Sequence, residues 1–92
     1  MAREAGGYLS QREFDAVCPA VSSTAFCVYA ALVTCRNAQT GETPVVGTPL
    51  LMRKTGRGRT QVFEAIGELR KGGFLLSERH GKGNVYRFPQ VF

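Results

Sequence analysis

Apolar and polar positions along this chain follow different periods in different stretches, and each period predicts a different element. Residues 25–34 are apolar nearly all round, the pattern of a central helix buried on most sides. Ser22, Ser23 and Thr24 stand just before it as candidate N-caps. Further on, Val62, Ala65, Ile66 and Leu69 recur at helical spacing among polar neighbours, which predicts an amphipathic helix over 59–71. Residues 74–79 and 84–88 are strand-like, the second alternating Val85 and Arg87 with Tyr86 and Phe88. His80-Gly81-Lys82-Gly83 between them supplies a tight, basic, glycine-rich turn.

Local punctuation fills in the rest. Ser10 followed by Glu13 is a capping-box spacing that predicts a short helix over 10–17, broken at Cys18-Pro19. Residues 36–44 form a polar loop punctuated by Gly41 and Pro44, and Val45-Val46 suffices for a short strand. Gly47-Thr48-Pro49 opens a helix of about two turns, which Gly56 ends as a residue of positive φ. Only Arg57 and Gly58 separate it from the helix starting at Arg59. Arg70 and Lys71 suit the negative end of that helix, and Gly72-Gly73 stop it. Short helix, glycine-containing turn and longer helix make a helix-turn-helix pattern. The expected fold class is α+β, mainly α, with a three-helix core, a C-terminal β-hairpin and a short third strand. The expected organisation is an N-terminal arm over 1–21, frayed around Gly6-Gly7, a folded domain over 22–89, and a tail over 90–92.

Composition narrows the function. Ninety-two residues suffice for one small core and leave little scaffold for an enclosed catalytic cleft. The net charge is +5, and it is unevenly placed. Residues 1–49 hold three basic groups against four acidic ones, whereas residues 50–92 hold nine against three, so the halves carry −1 and +6. A segregated basic half points to a polyanion partner, because phosphate neutralisation releases counterions. Cys18, Cys27 and Cys35 lack a C-x-x-C pair, and the one histidine, His80, lies far off. They match no zinc spacing and are expected as buried thiols in a reducing cytoplasm. No carboxylate pair or phosphate loop is recognisable, so no enzyme activity, metal or cofactor is expected. Gly56-Arg57-Gly58-Arg59 resembles only a fragment of such a loop, with no strand before it. No run of 18 apolar residues exists and residues 1–7 contain no apolar leader segment, so neither a membrane span nor a signal peptide is expected.

Four groups of residues carry a resemblance: the loop Gly41-x-x-Pro44; Leu51-x-x-x-Thr55-Gly56; Thr60-Gln61-Val62-Phe63-x-Ala65-Ile66-x-x-Leu69-x-x-x-Gly73-Phe74-Leu75; and Asn84-x-Tyr86-Arg87. Over 22–89 the chain resembles the winged helix-turn-helix DNA-binding domains of bacterial, plasmid and phage regulators and replication-initiation proteins. It departs from their pattern at Met52, where a small residue is usual. It departs again at Gly47 and Gly58, where serine caps are usual, and at Arg57, where the turn is often aliphatic. Glycine is an adequate N-cap, and Arg57 brings a charge beside the same backbone.

The resemblance implies a sequence-preferring double-stranded DNA-binding protein, a transcriptional regulator or replication-initiation component. Residues 59–71 would be the recognition helix in the major groove, and the wing over 77–86 would meet the backbone or minor groove. With Val62, Ala65, Ile66 and Leu69 inward, Arg59, Thr60, Phe63, Glu64 and Gly67 face outward. Arg59 is placed for guanine O6 and N7, Gln61 for adenine if it turns out, and Phe63 for a thymine methyl. Glu64 either accepts from a cytosine amine or repels phosphate in wrong registers. Arg53, Lys54, Arg57 and Gly58 hold the backbone on one side and Lys82 reaches it on the other, with Arg79, His80 and Asn84 completing the wing. The competing expectation is a winged-helix protein-interaction module without specific DNA binding, for which an outward Phe63 is the argument. A homodimer is a further expectation, through Tyr8, Leu9 and Phe14 or through Val91 and Phe92.

Overall fold

The computed structural model describes residues 8–90. In chain order they form α1 (Gln11–Val17), a 3-10 turn (Cys18–Ala20), α2 (Ser23–Cys35), α3 (Thr48–Thr55), α4 (Arg59–Lys71), β1 (Leu76–His80) and β2 (Gly83–Arg87). The fold is α+β and mainly helical, with β1 and β2 paired antiparallel as the sheet of the described residues. The expected frayed start at Gly6-Gly7 and the dimer surface at Val91 and Phe92 fall outside them. Among the described residues no helix is long and apolar enough to cross a membrane.

α1 begins where the sequence predicts. Ser10 Oγ accepts the Glu13 N–H and Glu13 Oε1 accepts the Ser10 N–H, both at 3.1 Å. This reciprocal box satisfies two donors that a bare helix start leaves open. Val17 at its end is fully buried in the core shared with α2.

α2 is the spine, with Ala25, Val28, Tyr29, Ala31, Leu32 and Val33 buried. It is not enclosed on every side. Phe26, Cys27 and Ala30 stay partly exposed, because α3, α4 and α1 leave lanes between them. The three cysteines are free and half-buried, not buried as expected.

α4 turns Val62, Ala65 and Leu69 onto α2, with Ile66 partly buried beside them. It closes on a Schellman motif: the Phe74 N–H donates to the Leu69 carbonyl at 3.0 Å and the Gly73 N–H to Arg70 at 3.1 Å. Gly73 stands at φ 78°, where a side chain would be strained. That motif consumes Phe74, and Leu75 then turns fully into the core, so β1 starts at Leu76 and not at the expected Phe74. Burying Leu32, Leu51, Leu69 and Leu75, all fully enclosed, contributes about 1.5–3 kcal/mol each.

The expected third strand at Val45-Val46 is two isolated bridges along β2, Glu42 to Arg87 and Val46 to Asn84. Between the bridges three residues, 43–45, face two, 85 and 86, so the ladder slips at Thr43-Pro44. Proline offers no N–H there, and the Tyr86 N–H bonds the Thr43 hydroxyl at 3.0 Å in place of a carbonyl. The approach is close: a Cβ on Gly83 would lie 2.8 Å from the Val46 carbonyl oxygen.

Candidate nucleic-acid interface

The turn between α3 and α4 is built from glycine. Gly56, at φ 69°, donates to the Met52 carbonyl at 2.9 Å and ends α3 in the left-handed conformation. Thr55 Oγ1 bonds the Leu51 carbonyl at 2.7 Å and also accepts the Arg57 N–H at 3.3 Å, so the turn is pinned from within. Gly58 caps α4 without a side chain. Its N–H donates to Gln61 Oε1 at 2.9 Å, the return half of a capping box.

α4 is held on the core by an ion-to-backbone clasp. Glu68 Oε2 accepts the Ser22 N–H at 2.7 Å and Glu68 Oε1 accepts the Ser22 hydroxyl at 2.8 Å. A carboxylate from one helix thereby caps the positive end of another 46 residues away, a favourable site for negative charge. Nothing in the periodicity of 59–71 singles out Glu68 for this, since it reads as one more polar position.

The predicted site residues fall into two groups. Arg53, Arg59, Thr60, Phe63, Glu64 and Lys82 are exposed. Arg59 Cζ sits 5.3 Å from the Phe63 ring centroid, a cation–π pair one helical turn apart. Glu64 borders a shallow cleft of about 190 Å³ between α2 and α4, with Ser22, Thr24, Gln61, Ala65 and Glu68. The second group is engaged. Gln61 is spent on Gly58, and Lys54 Nζ donates to Thr34 Oγ1 at 3.0 Å. The Arg57 guanidinium folds back on α2, its Nη2 3.8 Å from Cys27 Sγ and its Nε buried without a hydrogen-bond partner. A donor left so typically costs about 1–3 kcal/mol.

At the hairpin, His80 pairs with Gly83 and leaves Gly81-Lys82 as a two-residue turn. Gly81 takes φ 61° and Lys82 does not share the positive φ, the II′ pattern that matches strand twist. Lys82 is therefore at the tip. Arg79 Nε donates to the Gly81 carbonyl at 3.0 Å, which stiffens the turn from beside it. His80 is exposed, 3.8 Å from the Glu78 carboxylate. Asn84 is drawn inward: its backbone pairs with Val46 and its Nδ2 donates to the Tyr86 hydroxyl at 3.4 Å.

Ion pairing distinguishes the basic side chains. Of the nine between residues 50 and 92, only Arg87 has a carboxylate within 4.0 Å among the described residues, at Glu42 (2.6 Å) and Glu78 (2.9 Å). Arg53, Lys54, Arg57, Arg59, Arg70, Lys71, Arg79 and Lys82 have none.

A second polar cluster, which sequence reasoning recognised only at its cap, lies where α1 meets the end of α2. The Glu13 carboxylate, 7% exposed, is gripped by Arg36 Nη1 at 2.7 Å and Nη2 at 3.1 Å, and accepts the Tyr29 hydroxyl at 3.0 Å. Burial alone would raise the Glu13 carboxyl, but the Arg36 guanidinium, the Ser10 N–H and the Tyr29 hydroxyl overcome it and hold it at about 2, against an ordinary 4.5. Burial and the Glu13 charge push the Tyr29 phenol upward. Arg36 also lies 4.6 Å over the Phe88 ring, which meets Tyr29 edge-on at 5.6 Å. Serial hydrogen bonds and ring contacts thus tie both ends of the described chain to α2.

Comparison with protein-family models, curated proteins and solved structures gives no match.

Proposed function

We propose that this chain is a winged helix-turn-helix domain that binds double-stranded DNA with sequence preference, in the manner of bacterial, plasmid and phage regulators. Residues 59–71 enter the major groove, and the hairpin over 77–86 rests on the backbone or minor groove. The observation that carries this reading is the absence, among the described residues, of a carboxylate partner for eight of the nine basic side chains in the half that contains α3, α4 and the hairpin. Arg36, which serves the fold, is paired with Glu13, and Arg57 alone of the eight turns back into the fold without an acid. Charges left to solvent on three consecutive elements suit phosphate, where each neutralised group releases counterions. The exposed start of α4, with Arg59, Thr60 and Phe63 beside bare glycine backbone, provides close approach and base-edge chemistry together.

The division of site residues refines the roles. Arg59 and Phe63 are free to read bases, Arg53 and Lys82 to grip phosphate on either side, while Gln61, Arg57 and Asn84 serve the turn and the hairpin. A protein-interaction role finds its support in Phe63 and Leu76, 50% and 52% exposed. Fluorescence anisotropy of labelled duplex and of the matching single strand decides between the readings. Preferential duplex binding supports the proposal. A folded protein that binds neither nucleic acid at low salt overturns it in favour of a protein partner.

A further inference from the structure

Phe63 is not accounted for by the fold. It is half exposed on an otherwise polar helix face, and it stands apart from the core cluster and the residues packed on it. Its ring contact is with Arg59, whose guanidinium carbon lies 5.3 Å from its centroid. Both side chains project from the first turns of α4, the end that reaches deepest into a groove on the duplex reading above, on which this inference rests. Gln61, the other reader in that stretch, is held by the Gly58 N–H.

What remains at the tip is a planar donor fork beside an apolar ring. In the major groove the fork matches the paired acceptors O6 and N7 of guanine, and the apolar feature available to the ring is the thymine C5-methyl. Bases in one strand are spaced about 3.4 Å along the axis. The ring centroid and the guanidinium carbon, 5.3 Å apart, are separated by less than two such steps, which suits bases at neighbouring positions. The ring also restricts where the guanidinium lies, so the two contacts form together.

We propose that Arg59 and Phe63 act as a single reading unit for a thymine and a guanine adjacent on one strand. The test begins by selecting the preferred site from a random duplex library with the full chain. Each thymine of that site is then replaced by deoxyuridine, which removes only the methyl group, and each guanine by 7-deazaguanine, which removes only N7. One uracil replacement, next to a guanine, should weaken wild-type binding about fourfold, the worth of one buried methyl, and leave Phe63→Ala unaffected. The adjoining 7-deazaguanine should weaken the wild type and leave Arg59→Ala unaffected. Uracil without effect at every position, or with the same effect in Phe63→Ala, overturns the step reading while duplex binding stands. Absence of duplex binding overturns both. Uracil without effect at every position in the wild-type protein overturns the step reading even if a variant fails to fold.

Discussion

Arg36 and Arg59 both sit at helix ends of one small domain, yet their surroundings are opposite. Arg36, its side chain 13% exposed, closes a bidentate pair with Glu13, bonds the Tyr8 carbonyl and covers Phe88. Arg59 is exposed, with a phenylalanine ring beside it and no carboxylate in reach among the described residues. The first arrangement spends charge on stability; the second holds charge available. A basic composition alone cannot tell these apart, because both arginines count equally toward +5. The difference lies in which acids the fold brings near. Glu13, Glu42 and Glu78 are each drawn to an arginine and Glu68 to a helix start, leaving Glu64 as the one acid of α3 and α4 without such a partner among the described residues, against Arg53, Lys54, Arg59, Arg70 and Lys71.

The contrast is most sharply broken at Glu13. Glu13→Ala removes the buried partner of Arg36 and Tyr29, and should cost about 3 kcal/mol of folding stability, or roughly 15 °C in the thermal midpoint of a domain this size. Affinity for duplex DNA, measured below that midpoint, should not change. The same pair is visible by acid titration. The Glu13 carboxyl is depressed in the folded state, to about 2 from 4.5. Its contribution is therefore complete above about pH 5 and lost as pH falls through about 2. Denaturation at stepped pH should show the wild type losing about 3 kcal/mol more over that window than Glu13→Gln.

Arg59→Ala should behave in the reverse way. We expect duplex affinity to fall by about 1–3 kcal/mol with stability within about 0.5 kcal/mol of wild type, as for an exposed position. Binding and melting curves on the same preparation check both halves. The smallest effect belongs to Gln61→Ala. Losing the Gly58 N–H partner should cost about 0.5–1 kcal/mol of stability and leave the preferred DNA sequence unchanged, which repeating the site selection would check.

The elements were legible from sequence where local chemistry decides them. The Ser10–Glu13 box, the Gly56 stop and the Val62, Ala65, Leu69 stripe each state their geometry in a few adjacent residues. The outward set on α4 followed from that stripe, so Arg59, Thr60, Phe63 and Glu64 are exposed as expected. What was not legible depends on residues far apart. The Glu68–Ser22 clasp spans 46 positions and the Glu13–Arg36 pair spans 23. Arg57 looked like a phosphate anchor because it places a charge beside the turn backbone, and only the packing of α3 on α2 draws it to Cys27. Gln61 looked like a reader because it is polar and near the helix start. The same spacing from Gly58 makes it a cap, and that signal was present in the sequence.

The most direct test of the account is the salt dependence of duplex binding by the wild type and by Lys82→Ala, followed by anisotropy from low to physiological salt. The account predicts a fall in log affinity with log salt, with a slope of about −2 for the phosphate contacts of Arg53 and Lys82 and steeper for each further cation engaged. It predicts that Lys82→Ala shallows this slope by about one. A salt-independent affinity, or a folded protein with the same slope in both forms, would contradict the claim that the unpaired cations of this face exist to meet phosphate.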